Sequence, residues 1–255
     1  MMFTVDIAWI LTVVLVAVRI GAAVALTPVL GVSSIPARLR VLFVVGMAAT
    51  LATGLSGAMS ASSVTLANFI TAAASEMVIG LALAFGLFTA FATFQLAGRI
   101  IDLQLGFGVA GLIDPTTRAQ SPLLGFFLNL VAVMMFFSID GHHVLIRGLA
   151  YSLEVVPPGT SLADLGAAVI VAQFGAMFLY AIAVAAPVVF IVLLIDVVLA
   201  VVSRTMPQVN VFVVGMPLKI FVGLVVLALS LQYLTPAFKR VFETLFTYWQ
   251  TLLGG

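Results

Sequence analysis

The chain has no cysteine, only two histidines, and few charges, with ten Lys plus Arg and nine Asp plus Glu among 255 residues. The lack of cysteine excludes disulfides and cysteine-ligated metal. Charged residues make up 7% of the chain, where soluble domains average roughly 25%, so it lacks the polar coat of a water-facing surface. A net charge of +1 leaves no basic surface for nucleic acid. No polar segment is long enough to build a separate soluble domain. G-x-S-x-G, H-E-x-x-H, Walker and dinucleotide-binding sequences are also missing, and nothing in the chain reads as an enzyme.

What remains is apolar. Hydrophobic residues make up 64% of the chain, and the mean hydropathy is +1.34. They fall into six runs, about Ile7 to Leu30, Val41 to Leu55, Leu66 to Gly98, Leu123 to Ile139, Leu165 to Ser203 and Ile220 to Leu234. This pattern predicts an all-α integral membrane protein of about six long helices. Pro187 should kink the fifth. The third run would be about 48 Å long as a helix, well beyond a ~30 Å hydrocarbon core. It must tilt strongly or stand partly outside the bilayer. The N-terminus does not resemble a cleaved signal, because its first charge is Asp6 and no clean cleavage site follows.

The links carry the polarity. Ser33 to Arg40 form the first, and a glycine- and serine-rich stretch from Gly54 to Ser63 the second. Asp140-Gly-His-His143 opens the most polar interior stretch, which continues through Arg147, Glu154, the turn Pro157-Pro-Gly159 and Asp164. Arg204 to Lys219 read as a hairpin tip holding Pro207, Gln208 and Asn210. Arg38, Arg40, Arg99, Arg118, Arg204 and Lys219 lie in odd-numbered links, against Arg147, Lys239 and Arg240 on the other side. The positive-inside rule then places the N-terminus outside and the basic links in the cytoplasm.

The tail from Thr235 reads as an amphipathic helix, with a capping threonine and Pro236 at its first position. Phe238, Val241, Phe242, Leu245, Phe246, Trp249, Leu252 and Leu253 recur at helical spacing. That face suits either the lipid interface or a partner subunit.

Between the third and fourth runs lies the stretch around which the chain is organised. It carries Arg99, Asp102, Asp114 and Arg118, with Gly106, Gly108 and Gly111, then Pro115 and Pro122. Non-helical backbone at membrane depth survives only where protein buries it or water lies beside it. The stretch is therefore either a pore-lining or gating loop or an ordinary loop at the membrane surface. Arg19, Glu76 and Asp196 sit inside apolar runs, where ionisable groups are expensive and face a bundle interior, a partner or water. They serve either a proton or ion relay or, more simply, contacts between helices or subunits. Adjacent His142 and His143 should point about 100° apart on a helix, which makes a poor chelating pair, and no metal or cofactor site is assigned. Ala82, Gly86 and Ala90, at four-residue spacing, favour close helix contact in lipid.

An ordered set of motifs runs over nearly the whole chain. It begins with Arg19-Ile-Gly21, Thr27-Pro28 and Ile35-Pro-Ala-Arg38, then Ala97-Gly98 and Asp102-Leu-Gln-Leu-Gly-Phe107. Asp114-Pro115, Asn129, Asp140-Gly-His-His143, Ser152 and Pro157 to Gly159 follow, and Arg204-Thr-Met-Pro-Gln-Val-Asn210-Val-Phe ends the series. Each is weak alone, but together they resemble the FliR family of flagellar biosynthesis proteins, components of the type III export gate with SctT relatives in virulence injectisomes. Asp140 stands where that family often has Asn.

The resemblance implies a single-copy subunit in a helical assembly with FliP-type and FliQ-type partners in the bacterial inner membrane, at the flagellar basal body. There it would surround the conduit for unfolded export substrates, in contact with membrane lipid. Residues 1–164 would be the FliP-like part, 165–234 a FliQ-like hairpin and 235–255 the amphipathic tail. The family's plug loop would correspond to Gly106 through Pro122, including Phe107, Gly108, Val109, Gly111, Leu112, Ile113, Asp114 and Pro115. The tip with Arg204, Pro207, Gln208 and Asn210 would meet the large switch-forming export protein. Flagellar use is favoured over virulence use. Broken helices and intramembrane charges also suit an ion-coupled secondary transporter, although the two halves show no convincing internal repeat.

Overall fold

The structure is a computed structural model that describes residues 7–25, 36–54, 65–107, 122–160, 166–206, 208 and 210–254. Every element among them is an α-helix: α1 (Ile7–Ala25), α2 (Ala37–Thr53), α3 (Leu66–Leu105), α4 (Leu123–Ser138), α5 (Gly141–Val155), α6 (Ala167–Thr205) and α7 (Val211–Gly254). Of the described helices, α1, α3, α6 and α7 are each long and apolar enough to cross a membrane, while α4 and α5 qualify only as one broken span. The chain is an all-α, multi-pass integral membrane protein.

Helix ends differ from the sequence reading in instructive ways. The third run was expected to stop at Gly98, yet α3 runs on through Arg99 and Asp102 to Leu105. Asp102 is only 4% exposed there because its carboxylate has backbone donors to hold. The polar link from Ser33 to Arg40 is shorter than expected, since α2 starts directly after Pro36 and takes in Arg38 and Arg40. The stretch after Asp140 was not assigned to a helix, but Gly141–Val155 form one, with Leu149, Ser152 and Leu153 buried along one side. Asp140 itself has φ 56°, a left-handed conformation that separates α5 from α4.

The hairpin tip also contracts. α6 continues through Arg204 to Thr205, and α7 begins at Val211, so Gly215, Pro217 and Lys219 are helical. Asn210 starts α7, its side-chain Oδ1 accepting from the Val213 N–H at 3.4 Å. Thr235 does not cap a new helix. α7 is continuous over 44 residues and contains Pro217 and Pro236. Each proline removes one helical donor but has a φ already suited to a helix, and packing on both sides of Pro236 sustains the helix through it. Pro187 lies likewise within α6.

The described residues group into two compact units, one drawn from 1–89, 140–173 and 244–255, the other from 90–139 and 174–243. In the first, Leu15, Val16, Ile20, Ile79, Leu83 and Leu149 are almost fully buried. The end of α7 packs here. The Tyr248 hydroxyl donates to the Ala82 carbonyl at 2.9 Å, and Trp249 Nε1 donates to the Leu83 carbonyl at 3.0 Å. Gly86 makes room for the Tyr248 ring.

The second unit is centred on aromatic rings. Phe94 stacks on Phe238 with centroids 4.1 Å apart. Phe91 meets Phe136 edge to face at 5.6 Å, and Phe136 lies 5.3 Å from Phe242. Such pairs add about 0.5–1.5 kcal/mol beyond area burial. The tail's apolar face is therefore used within this chain, since Phe238, Val241, Phe242, Leu245, Trp249 and Leu252 are all buried. It is not left over for lipid or a partner, the two fates expected for it.

Candidate functional site

Three polar arrangements stand out against this apolar background. The first lies in the unit that contains α1 and α5. Arg19 on α1 and Glu76 on α3 both have fully buried side chains. Arg19 Nε donates to Glu76 Oε2 at 2.5 Å and Nη2 donates to Oε1 at 3.1 Å, the forked pairing that suits guanidinium and carboxylate.

The remaining N–H groups of Arg19 turn to the end of α5. Nη1 donates to the Ser152 carbonyl at 2.6 Å and to its hydroxyl at 3.4 Å, and Nη2 donates to the Val156 carbonyl at 2.9 Å. The last carbonyls of a helix sit at its negative end, which favours a cation there; the Ser152 carbonyl accepts from Arg19 in addition to the Val156 N–H at 3.1 Å. Glu76 Oε1 also accepts from the Gly159 N–H at 3.1 Å, in the turn after Pro157 and Pro158. One ion pair thus ties α1, α3, α5 and the following turn. The approach of α1 to α3 depends on Gly80, one turn beyond Glu76, where any Cβ would overlap the Arg19 backbone and the Ala22 side chain.

The second arrangement brackets the central stretch. Asp102, near the end of α3, accepts from the backbone N–H groups of Leu124 and Gly125 at 3.1 and 3.2 Å. These are orphan donors at the start of α4, and a carboxylate is well placed at a helix N-terminus. Gly98 and Gly125 allow this approach, because a Cβ on Gly98 would run into the Gly125 backbone. α3 ends at Gly106 with φ 86°, and the Phe107 N–H returns to the Asp102 carbonyl at 3.0 Å. This is the glycine-terminated helix end known as a Schellman motif. The structure thus places Gly106 and Phe107 at a helix cap. Gly108, Val109, Gly111, Leu112, Ile113, Asp114 and Pro115 lie outside the described residues, as does Pro207 of the hairpin tip.

The third lies near the turn between α6 and α7. Asp196 pairs with Lys219 across the hairpin, at side-chain exposures of 40% and 24%. The pair lines a cavity of about 510 Å³ together with Leu103, Gly106, Ser203 and Met216. Arg204, Gln208 and Asn210 are exposed at the tip.

Three sequence-picked charges thus find partners inside the chain, Arg19 with Glu76 and Asp196 with Lys219. The linking role of Asp102 and the part of Ser152, Val156 and Gly159 were not anticipated. An Asp one turn before a glycine-ended helix was the only available signal. His142 and His143 also differ from expectation, because their ring centroids lie 4.1 Å apart rather than diverging.

Residues 10–245 match the family described as bacterial export proteins, family 1. The chain is 37% identical over 191 residues to the flagellar biosynthetic protein FliR of Bacillus subtilis, covering 73% of this chain and 74% of that protein. It is 28% identical over 231 residues to FliR of Escherichia coli, covering 89% and 87%. Similarity extends to the surface presentation of antigens protein SpaR of Shigella sonnei, at 31% identity over 144 residues and 56% of each chain.

Proposed function

Because this chain belongs to the bacterial export proteins, family 1, and is a component of the type III export apparatus, we propose that it lines and closes the conduit for unfolded flagellar substrates. It does so beside FliP-type and FliQ-type subunits in the inner membrane at the base of the flagellum. The stretch from Gly106 to Pro122 is the closing element.

One observation carries this reading. Asp102 ties the last turn of α3 to the first turn of α4, so the stretch between them leaves and re-enters the fold at a fixed point. A gate needs a firm frame and a movable insert, and the apolar side chains from Phe107 to Ile113 suit closure by exclusion of water. α6 and α7 supply apolar surface for neighbouring subunits or lipid, with Phe178, Leu179, Phe190, Leu193 and Val197 exposed. The exposed tip with Arg204, Gln208 and Asn210 is the contact for the switch-forming export protein. The likeness of 165–234 to a FliQ-type hairpin accords with the short turn between α6 and α7. This role requires no catalysis.

Purification in mild detergent, followed by mass measurement of the intact complex, tests the assembly. The expected species contains one copy of this chain with several FliP-type and FliQ-type subunits. Recovery of the chain alone or as a homo-oligomer, from cells expressing all partners, would contradict it.

A further inference from the structure

We propose that Asp140, His142 and His143, at the start of α5, form a binding site for a divalent transition-metal ion of the zinc class. One ligand atom from each of the three lies within 4.8 Å of the others. His143 Nδ1 is 3.4 Å from Asp140 Oδ1, and the two imidazole rings lie side by side.

His142 and His143 are consecutive helical residues whose rings nevertheless meet, and the backbone before them brings in the third donor. Asp140 is left-handed and precedes the first helical residue, which places its carboxylate over the first turn that carries both histidines. Imidazole nitrogen with carboxylate oxygen is a donor set used by zinc, and nickel and copper also accept it. Bond lengths of about 2.0–2.2 Å put adjacent donors of a tetrahedral site roughly 3.4 Å apart. The Asp140–His143 separation already meets this, and modest rotamer changes would bring in the third donor. Asp140 and His143 are largely exposed, at 75% and 63% of their side-chain surface, so an ion can reach them without rearrangement of a core.

Two features set the strength of the site. Three protein ligands leave at least one coordination position for water or for a side chain from a neighbouring subunit. The partial positive charge at the start of a helix opposes a cation, and the Asp140 carboxylate offsets it. Micromolar rather than structural-grade affinity is expected, with Asp140 indispensable.

The test uses the full chain in its detergent-solubilised complex, stripped with chelator and carrying no polyhistidine tag. Co²⁺ is titrated by visible absorbance and Zn²⁺ by calorimetry. One ion per chain is expected, with Zn²⁺ displacing Co²⁺. Asp140→Asn, His142→Gln and His143→Gln should each weaken binding by at least about tenfold, since even supporting residues around a metal site are worth 10–100-fold. Melting temperatures measured without metal should not change. Asp140→Asn keeps the side-chain shape and carries the test if a histidine variant assembles poorly. Wild-type complex that binds neither ion below millimolar concentration would overturn the proposal. So would wild-type affinity retained in the His142→Gln, His143→Gln double variant.

Discussion

Arg19 and Glu76 are shielded from solvent, so truncating either strands the other as a buried charge. Removing one partner of such a pair is destabilising by about 3–5 kcal/mol. Arg19→Ala and Glu76→Ala should therefore lower the melting temperature and the yield of assembled complex. Arg19→Lys should rescue little, because a lysine ammonium cannot make the fork to Glu76 while also reaching Ser152 and Val156. Export per assembled complex should stay near wild type. Normal assembly with lost proton-driven export would instead indicate a relay. Asp196 and Lys219 are partly exposed, and their pair should be worth at most about 1 kcal/mol. In a double-mutant cycle with Asp196→Asn and Lys219→Gln, the combined loss should be smaller than the sum. Both acidic residues and Arg19 were legible as unusual because charges in apolar runs need partners. Their pairing was not, since Arg19 and Glu76 stand 57 positions apart and no local pattern connects them.

Helices were legible as elements but not at their ends. The apolar runs located α1, α2, α3, α4 and α6, because apolarity and length suffice to announce a membrane helix. α5 was missed because Arg147 and Glu154 read as a link, whereas the packing of Leu149 and Leu153 makes the helix. Thr235 and Pro236 had every mark of a helix start, and tertiary packing of Phe238 and Phe242 carried α7 straight through them. The junction of α3 and α4 is tied by one side chain, that of Asp102. Asp102→Ala should cost about 1–3 kcal/mol by leaving the Leu124 and Gly125 N–H groups unsatisfied. Hydrogen exchange should show faster opening confined to the first turn of α4. Asp102→Asn, which keeps one acceptor, should have a smaller effect, and equal exchange in both variants would refute the role given to the carboxylate.

At the scale of the whole molecule, the proposed closure assigns two parts of a gate. The junction of α3 and α4 through Asp102 would be its frame, and the stretch with Phe107, Val109, Leu112 and Ile113 its closing element. Replacing Gly108 and Gly111 with valine should restrict backbone freedom and lower secretion of export substrates without causing leak. Composition alone announced a membrane protein, and the ordered motifs announced the family, because both are properties of the chain taken as a whole. Which residues meet a partner depends on surfaces that no single chain completes. The most direct measurement is the flux of ions and small solutes across inner membranes that hold the fully assembled complex. With Phe107, Val109, Leu112 and Ile113 replaced by serine, flux should rise well above wild type while complex yield is maintained. A fully assembled variant with wild-type permeability would contradict closure by this stretch and leave it a structural link.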